Sequence, residues 1–259
     1  MGVDIDVKDR VVMITGGARG IGLAIARGFL EHGACVHLVD LDPDSGQTEQ
    51  INRPGMLHVH RGDVTDPESI RGCVARIVNI SGRIDVLVNC AGVIYKDLVE
   101  NLDVAAWQRV LDINVTGTML AARAVVPVMK EHRWGRIINI SSMQALMGTP
   151  QYSAYTASKA AVIGLTRVWA MELVSYNITV NDLCPSFVRT PLLERAVETL
   201  RQKENLSAEE ARERFVGQVP QHRFLEPEEI AFTALFLSSE LAQGITGSSI
   251  AIAAGCVLY

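Results

Sequence analysis

The chain has 259 residues, enough for one large α/β domain or two small ones, and its 48% hydrophobic and 20% charged residues are ordinary for a globular protein with a sizeable core. Its net charge of -5 gives no basic excess for contacts with a phosphate backbone, so we expect no nucleic-acid partner. The five cysteines are scattered through apolar runs, as reduced thiols are. With no signal-peptide pattern or run of ~20 apolar residues, we expect a cytoplasmic protein without a membrane segment.

Seven short runs rich in β-branched residues predict buried strands, at residues 11–15, 35–39, 57–61, 86–90, 137–141, 178–183 and 249–253. Stretches with helical periodicity alternate with these runs, and the alternation indicates a parallel sheet covered on both faces. We therefore predict an α/β fold, a doubly wound Rossmann-type sheet of about seven parallel strands with helices on both faces. We expect a single domain, residues 1–259.

A glycine-rich segment, residues 15–22, lies where the first strand ends and the first helix begins, and reads Thr-Gly-Gly-Ala-Arg-Gly-Ile-Gly. Glycines at this point let the backbone approach a pyrophosphate, whose charge is favoured by the free N–H groups and the positive dipole end of the helix. A tight turn would need the same glycines, so the segment alone leaves both interpretations open.

Asp40 ends the second strand, 18 residues after Gly22, where a carboxylate can accept both hydroxyls of an adenosine ribose. The same carboxylate would repel a 2′-phosphate, which favours NAD. Arg19 indicates the opposite preference, because its guanidinium could pair with that phosphate. We give Asp40 more weight as the more direct contact. After the third strand, Asp63 and Val64 could hold the adenine edge, although an Asp in this position is also typical of a turn cap.

A long helix is predicted after Asp103. Its expected buried stripe is Trp107, Val110, Asn114, Gly117, Ala121, Ala124 and Val128. Asn114 is the only strongly polar member of this stripe. A buried amide must be satisfied, so Asn114 makes either a structural hydrogen bond or a hydrogen bond to a functional water.

Tyr155 and Lys159 are four residues apart in a predicted helix, residues 153–176, and so share one helix face. The apolar stripe of that helix is predicted to be Ala154, Ala157, Ala161, Leu165 and Val168. The unperturbed pKa of tyrosine is ~10, and an ammonium ~4 Å away would favour the phenolate by ~4 kcal/mol at a dielectric of ~20. Lys159 is therefore predicted to lower the pKa of Tyr155 toward the working pH. Ser142 follows a strand, and the ends of strands are where open α/β sheets bind ligands.

Residues 187–225 form a segment longer than one crossover helix requires, with amphipathic pieces at 192–203 and 208–215. We predict that this segment is a substrate lid. The histidines His32, His37, His58, His60, His132 and His222 form no helical metal-binding spacing. His58 and His60 are predicted to share one face of the third strand. We therefore expect no metal site.

These motifs resemble the short-chain dehydrogenase/reductase family over essentially the whole chain. The glycine segment, the acidic residue Asp40 and the pair Asp63 and Val64 match the family's cofactor motifs. The family's catalytic tetrad falls on Asn114, Ser142, Tyr155 and Lys159. The resemblance implies that the cofactor contacts come from Gly16, Arg19, Gly20, Ile21, Gly22, Asp40, Asp63, Val64, Asn89, Ala91, Gly92, Tyr155, Lys159, Pro185, Val188 and Thr190.

The resemblance further implies roles for the tetrad. Ser142 positions the substrate oxygen, Tyr155 transfers the proton, and Lys159 also binds the nicotinamide ribose. Asn114 is expected to hold a water that feeds Lys159. The implied strand order is 3-2-1-4-5-6-7, and the implied assembly is a homotetramer formed through the long helices and the C-terminal strand.

Three positions depart from the family pattern. Cys90 replaces an asparagine in the family's Asn-Asn-Ala-Gly motif, so one side-chain amide near the fourth strand is missing. Ser186 replaces the glycine of a Pro-Gly pair and puts a side chain beside the expected nicotinamide position. Ala253 stands where an aspartate is common, near the implied oligomer interface.

The resemblance implies a substrate pocket lined by Ile94, Gln144, Met147, Tyr152, Phe187 and Leu193. The segment after Thr190 is similar to that of 3-hydroxybutyrate dehydrogenases, but Tyr152 and Ile94 replace the lysine and glutamine that bind the carboxylate in those enzymes. A small hydroxy acid is therefore disfavoured, and a polyol, a sugar-derived ketone or a cyclic secondary alcohol remain open.

The predicted function is NAD-dependent hydride transfer between a secondary alcohol and a ketone, with a small-molecule substrate. Two alternatives remain beside it. One is an NAD-binding regulator or scaffold that kept the fold and lost turnover, and the other is a 3-hydroxy acid dehydrogenase. A sugar-nucleotide epimerase is disfavoured by the chain length and the glycine spacing.

Overall fold

The computed structural model describes residues 5–43, 48 and 55–257. The strands are β1 (Val11–Thr15), β2 (Cys35–Asp40), β3 (Leu57–Arg61), β4 (Val86–Asn89), β5 (Gly135–Ile140), β6 (Ile178–Pro185) and β7 (Ser249–Ile252). Within the described residues they form one seven-stranded parallel sheet of order β3-β2-β1-β4-β5-β6-β7. The predicted doubly wound sheet and its strand order are confirmed, with strand ends that differ from the sequence prediction by at most two residues.

Helices cover both faces of the sheet. They are α1 (Gly20–Glu31), α2 (Pro67–Ser81), α3 (Val104–Leu111), α4 (Gly117–His132), α5 (Ser153–Leu173), α6 (Pro191–Glu204), α7 (Ala208–Val216) and α8 (Pro227–Ser238). On one face, alternate strand residues such as Val12 and Ile14 pack against α1 and α8. On the other, Val11 and Met13 pack against α2, α4 and α5. Burial on both faces explains why the strands are almost continuously apolar.

The long helix after Asp103 contains a π turn, Asp112–Thr116, between α3 and α4. The wider turn shifts the helix face by about one residue, so the buried side chains after it are Val125 and Met129, at 0% exposure. Gly117 and Ala121 are buried as predicted, but the predicted stripe was wrong in the second half of α4, where Ala124 and Val128 are only half-buried.

Most of the apolar stripe predicted for α5 does not face the core, although Ala154 at its start is buried as predicted. Ala157 and Ala161 are exposed and Val168 is 53% exposed, whereas Ser158 and Val162 are buried against the rest of the fold. The prediction was wrong because it assumed that the apolar face of the helix is the buried one. The inner face of α5 is instead partly polar, since it carries groups of the candidate site.

Residues 187–225 hold α6 and α7 between β6 and α8. The two ends of the segment pair with each other, because Val188 and Leu225 form a parallel bridge and the Arg189 N–H donates to the Leu225 carbonyl at 2.8 Å. Inside the segment, Leu193, Val197, Ala211, Val216 and Phe224 form a small core of their own. The segment is therefore a compact insertion with joined ends.

Among the helices of the described residues, none combines the length and the apolar character needed to cross a bilayer.

Gly117, the first residue of α4, packs against Val64, and an added Cβ would lie 2.8 Å from the Val64 Cγ2. We expect Gly117→Ala to lower the free energy of unfolding by about 1–3 kcal/mol, because overpacking exceeds the gain in helix propensity. Gly72→Ala in α2 is the control, since its Cβ would meet only the flexible Arg76 side chain at 3.5 Å. That control should raise the free energy by about 0.5–1 kcal/mol in chemical denaturation. Equal stability of the two variants would contradict the packing argument.

Candidate active site

A cavity of about 560 Å³ opens at the carboxyl ends of β1, β2, β3 and β4. The predicted cofactor residues that line it are Gly16, Arg19, Gly20, Ile21, Asp40, Asp63, Val64, Ala91, Gly92 and Thr190. The structure thus brings together residues from five separate segments of the sequence. Six further predicted cofactor residues do not line this cavity: Gly22, Asn89, Tyr155, Lys159, Pro185 and Val188.

The glycine segment connects β1 to α1 with close backbone contacts. Gly16 has a φ of +66°, and an added Cβ would lie 2.7 Å from the Ala91 Cα. A Cβ on Gly22 would lie 2.5 Å from the Gly16 carbonyl oxygen, so Gly22 serves packing rather than the cavity surface. Arg19, at the N-cap of α1, makes no side-chain capping bond. The amino end of α1 is therefore available to an anionic group, and the segment fits a dinucleotide pyrophosphate.

Asp40 is buried at the end of β2, at 7% exposure. Its Oδ2 accepts from the Ala18 N–H at 3.1 Å and its Oδ1 accepts from the Asp42 N–H at 3.1 Å. These bonds fix the carboxylate and leave acceptor capacity for further hydroxyl donors.

Asp63 caps a local turn and also lines the cavity. Its Oδ1 accepts from the Thr65 N–H at 2.8 Å and from the Thr65 hydroxyl at 2.7 Å. The turn-cap interpretation is thus observed directly, and it does not remove Asp63 from the cavity wall.

The loop after β4 is held by Thr15, whose hydroxyl oxygen accepts from the N–H groups of Cys90 at 3.2 Å and Ala91 at 3.4 Å. Asn89 donates from Nδ2 to the Asn139 Oδ1 on β5 at 2.9 Å. The Asn89 side chain therefore connects neighbouring strands beneath the cavity. Cys90 lines the cavity, and burial raises the pKa of its thiol to about 11.

Ser142, Tyr155 and Lys159 come together where β5 ends and α5 begins. Ser142 follows β5, and its hydroxyl oxygen accepts from the Gln144 N–H at 3.2 Å. Tyr155 is in the first turn of α5, and Lys159 follows one turn later with its Nζ donating to the Ile140 carbonyl at 2.7 Å. A Cβ added to Gly92 would lie 3.5 Å from the Lys159 Nζ, so the ammonium lies directly behind the cavity wall.

The pKa values of these two side chains shift in opposite directions. Burial raises the pKa of Tyr155 to about 12, although hydrogen bonding to Ser142 lowers it in part. Burial lowers the pKa of Lys159 to about 8. The prediction that Lys159 lowers the pKa of Tyr155 toward the working pH is thus wrong. Desolvation of the phenol is the largest cause of its shift, and the ammonium is bonded to Ile140 with its Nζ 5.7 Å from the Tyr155 ring centroid.

Asn114 is fully buried inside the π turn. Its Oδ1 accepts from the Val93 N–H at 2.9 Å, and its Nδ2 donates to the Val93 carbonyl at 3.0 Å and to the Ser158 hydroxyl at 3.0 Å. The side chain is satisfied by structural hydrogen bonds. Asn114 therefore connects three elements: the helix formed by α3, the π turn and α4, the loop after β4, and α5. These three elements surround Lys159.

The remaining predicted cofactor residues are at the start of the 187–225 segment. Pro185 ends β6, and the following Ser186 donates its N–H to the Ile252 carbonyl at 3.1 Å. Val188 is buried and pairs with Leu225. Thr190 is the N-cap of α6, and its Cγ2 would lie 3.3 Å from a Cβ on Gly20. The insertion therefore begins against the glycine segment.

Among the predicted substrate-pocket residues, Ile94 lines the cavity and Met147 is 41% exposed. Gln144 is buried, and its Oε1 has no hydrogen-bond partner among the described residues. The Tyr152 ring lies edge-on to the Tyr155 ring at 6.4 Å between centroids, and Phe187 packs edge-on to Phe215 at 5.6 Å.

Leu193 differs from the prediction, because it is buried in the core of the 187–225 segment and does not line the cavity. Helix α6 begins at Pro191, so Leu193 and Val197 share its inner face at i, i+4 spacing. The neighbouring Leu192 lines the cavity instead.

Sequence reasoning also missed Arg109, Ile113 and Arg195, which line the cavity from α3, the π turn and α6. Arg109 and Ile113 lie on the same side of the helix, and both also line an adjoining cavity of about 660 Å³. The signal available for Arg109 was its position one wide helical turn before Asn114, which puts both side chains on the same side of the helix. Lys96, in the loop that the resemblance also assigns to the substrate pocket, has its Nζ 4.5 Å from the Tyr152 ring centroid.

Comparisons with known proteins agree with this geometry. A family model described as enoyl-(acyl carrier protein) reductase matches residues 16–257. The 3-oxoacyl-(acyl-carrier-protein) reductase of Thermotoga maritima is 37% identical over 255 residues, covering 97% of this chain and 99% of that protein. The trans-4-hydroxycyclohexanecarboxylate dehydrogenase of Sinomonas cyclohexanicum is 39% identical over 259 residues, covering 96% and 93%. The ligand-free aldohexose dehydrogenase of Thermoplasma acidophilum superposes with a TM-score of 0.88 at 32% identity, covering 97% and 95% of the chains.

The chain belongs to the short-chain dehydrogenase/reductase family. It is an oxidoreductase that interconverts alcohols and ketones, and enzymes of this family use nicotinamide cofactors.

Proposed function

We propose that this protein is an NAD(H)-dependent oxidoreductase that interconverts a secondary alcohol and a ketone, with Tyr155 as the acid and base. The observation that carries the proposal is the position of the Lys159 ammonium directly behind Gly92, which lines the same cavity as the glycine segment and Asp40. This proximity supports a proton-transfer group next to a dinucleotide site. A bound nicotinamide would supply the hydride acceptor or donor.

The chain's own residues supply proton transfer and orientation. Ser142 would hydrogen-bond the substrate oxygen, and in ketone reduction Tyr155 would donate its phenolic proton to that oxygen. In alcohol oxidation the phenolate would take the hydroxyl proton. Lys159 would bind the nicotinamide ribose, and its charge would favour the phenolate. Asn114 is a positioning residue, because its side-chain amide hydrogen-bonds to the Val93 backbone and to the Ser158 hydroxyl. A water held near Asn114 for Lys159 remains part of the proposal.

The remaining parts of the proposal concern the insertion and the assembly. We propose that residues 187–225 form the substrate lid, which is supported by their joined ends and by the cavity contacts of Thr190 and Leu192.

A homotetramer is supported by the exposed apolar face of α5, where Met171 is 84% and Val168 53% exposed.

Replacement of Tyr155 tests the mechanism. We expect Tyr155→Phe to keep NADH affinity and to lower kcat by about 10²–10⁴-fold, because the phenolic proton is lost. NADH binding is measured by fluorescence titration and turnover by absorbance of the reduced nicotinamide over a panel of secondary alcohols and ketones. Tyr176→Phe is the matched control and should retain turnover, because Tyr176 lies after the end of α5 and outside the site. A Tyr155→Phe variant with near wild-type rate would overturn the mechanism, and a wild-type protein that binds NAD without turning over any substrate would favour the regulator.

Cofactor choice is tested at Asp40. We expect Asp40→Ala to weaken NAD binding and to relax the preference toward NADP, because the carboxylate that accepts ribose hydroxyls and repels a 2′-phosphate is removed. The ratio of kcat/KM for the two cofactors measures this preference. Asp42→Ala is the control, since its own carboxylate does not line the cavity. If Asp40→Ala leaves the ratio unchanged, discrimination would have to come from Arg19.

The pH dependence should differ between the two reaction directions. Because the pKa of Tyr155 is raised to about 12, the phenol holds its proton at neutral pH, as ketone reduction requires. Alcohol oxidation requires the phenolate, whose fraction grows as the pH rises toward that pKa. With saturating cofactor, we expect kcat/KM for oxidation to rise between about pH 6 and 9 and kcat/KM for reduction to stay level or fall. Initial rates in both directions check this, and an oxidation rate that falls with pH would argue against a phenolate base.

We further propose a ring alcohol that carries a carboxylate as the substrate class. Lys96 places a cation on the Tyr152 ring, beside Tyr155, and one relative is named for a hydroxycyclohexanecarboxylate. We expect Lys96→Met to lower kcat/KM for trans-4-hydroxycyclohexanecarboxylate about fivefold, as an exposed charge pair worth up to ~1 kcal/mol would. The uncharged cyclohexanol should be unaffected. Lys130→Met, which removes the same cation–ring contact from Tyr176, is the control. An equal loss on both alcohols would contradict carboxylate recognition.

A further inference from the structure

A cluster of histidine and cysteine side chains lies on the outer strands, away from the cavity. It consists of Cys35 and His37 on β2, His58 and His60 on β3, and Ser81 at the end of α2. Residues two apart on a strand point to the same face, and the parallel register sets His37 opposite His58. The His37 ring stacks on His58 at 4.6 Å between centroids, and the His60 ring lies nearly parallel to it at 5.2 Å, edge to edge. The expected shared face of His58 and His60 is thus observed.

The distances between donor atoms match those of a metal centre. One ligand atom from each of Cys35, His37 and His58 lies within 4.8 Å of the others. The Cys35 Sγ and the His37 Nε2 are 3.7 Å apart. Zn–S and Zn–N bonds of ~2.3 and ~2.0 Å in a tetrahedron separate sulfur from nitrogen by ~3.6 Å. A zinc ion could therefore bind both atoms with little movement.

The hydrogen bonds around His37 leave the correct nitrogen for a metal. Its Nδ1 is 2.9 Å from the His60 Nε2, and its Nε2 is 2.8 Å from the Ser81 hydroxyl oxygen. If the Nδ1–H donates to His60, the Nε2 lone pair points toward Ser81 and Cys35. His60 would then orient the His37 ring, as the hydrogen-bond partners of histidine ligands do in zinc sites.

We propose that Cys35, His37 and His58 bind one Zn²⁺ ion, with the Ser81 hydroxyl beside the fourth position. Thiolate and imidazole donors without a carboxylate are typical of zinc rather than of magnesium or calcium. Cys35 loses its proton on binding, and its half-buried position together with that of His58 leaves the ion a path of entry. The ion would fasten the edge strand β3 to β2 and to the end of α2. This proposal revises the expectation of no metal, which rested on helical spacings alone.

The site can be tested by metal binding without reference to turnover. Full-length protein without a histidine tag is stripped with a chelator and titrated with Co²⁺, whose thiolate complex has a charge-transfer band, and then with Zn²⁺ against a chromogenic chelator. The site variants are Cys35→Ser and His58→Gln. Both positions are half-buried, so substitution is milder there than at the fully buried His37. The control variants are Cys256→Ser, another half-buried thiol, and the exposed His132→Gln.

We expect one Zn²⁺ per wild-type chain, a Co²⁺ thiolate band that Cys35→Ser abolishes, and at least a tenfold loss of Zn²⁺ affinity in both site variants. Wild-type protein and the controls should also gain thermal stability on adding Zn²⁺, whereas the site variants should not. Circular dichroism in chelator establishes that all variants are folded. The proposal is overturned if wild-type protein binds no Zn²⁺ under these conditions, or if the two site variants bind it as tightly as the controls do.

Discussion

The buried amide of Asn114 is the interaction on which the rest of the site depends. It has no exposed surface, and it joins three elements that are distant in sequence through hydrogen bonds to the Val93 backbone and the Ser158 hydroxyl. Loss of either partner would leave polar atoms buried without a hydrogen bond, at a cost of about 1–3 kcal/mol each. The π turn carries Asn114 to this point, and wide turns of this kind are frequent at functional sites. Gly92 and Lys159 keep their places because Asn114 holds the loop and the helix that carry them.

Burial also sets the resting chemistry of the site. Burial disfavours the charged forms of both Tyr155 and Lys159. It raises the pKa of the Tyr155 phenol to about 12 and lowers the pKa of the Lys159 ammonium to about 8. Such perturbed pairs are concentrated at functional sites, where a ligand can supply the missing compensation. Tyr155 is therefore a neutral phenol at physiological pH, and an electron-poor ring bound nearby would move it toward the phenolate. In the proposed reaction, the charge balance would be divided between the protein and its ligand.

The sequence predicts the sheet well because the central strands are buried on both faces, and the apolar run of each is short and bounded by turns. The glycine segment and Asp40 are also predictable from the sequence. Close backbone approach requires glycines at fixed spacings, and the carboxylate stands at a fixed distance after them, at the end of a strand. Other features depend on geometry that periodicity does not contain. The π turn rotates the buried face of α4, and the inner face of α5 is polar where the site requires it. Whether Leu192 or Leu193 faces the cavity depends on where α6 begins, and the metal cluster joins two strands whose pairing only the fold defines.

The bridge between Val188 and Leu225 makes residues 187–225 separable from the sheet. Both ends of the segment leave from one point, and the helices between them have their own apolar core. The free-energy cost of lengthening such an insertion grows only slowly with its length, so the sheet does not constrain what stands between the two ends. Evolution can thus vary the part of this module beyond Arg195 while the residues that line the cavity stay fixed, and a protein engineer can graft a foreign segment between Arg195 and Leu225.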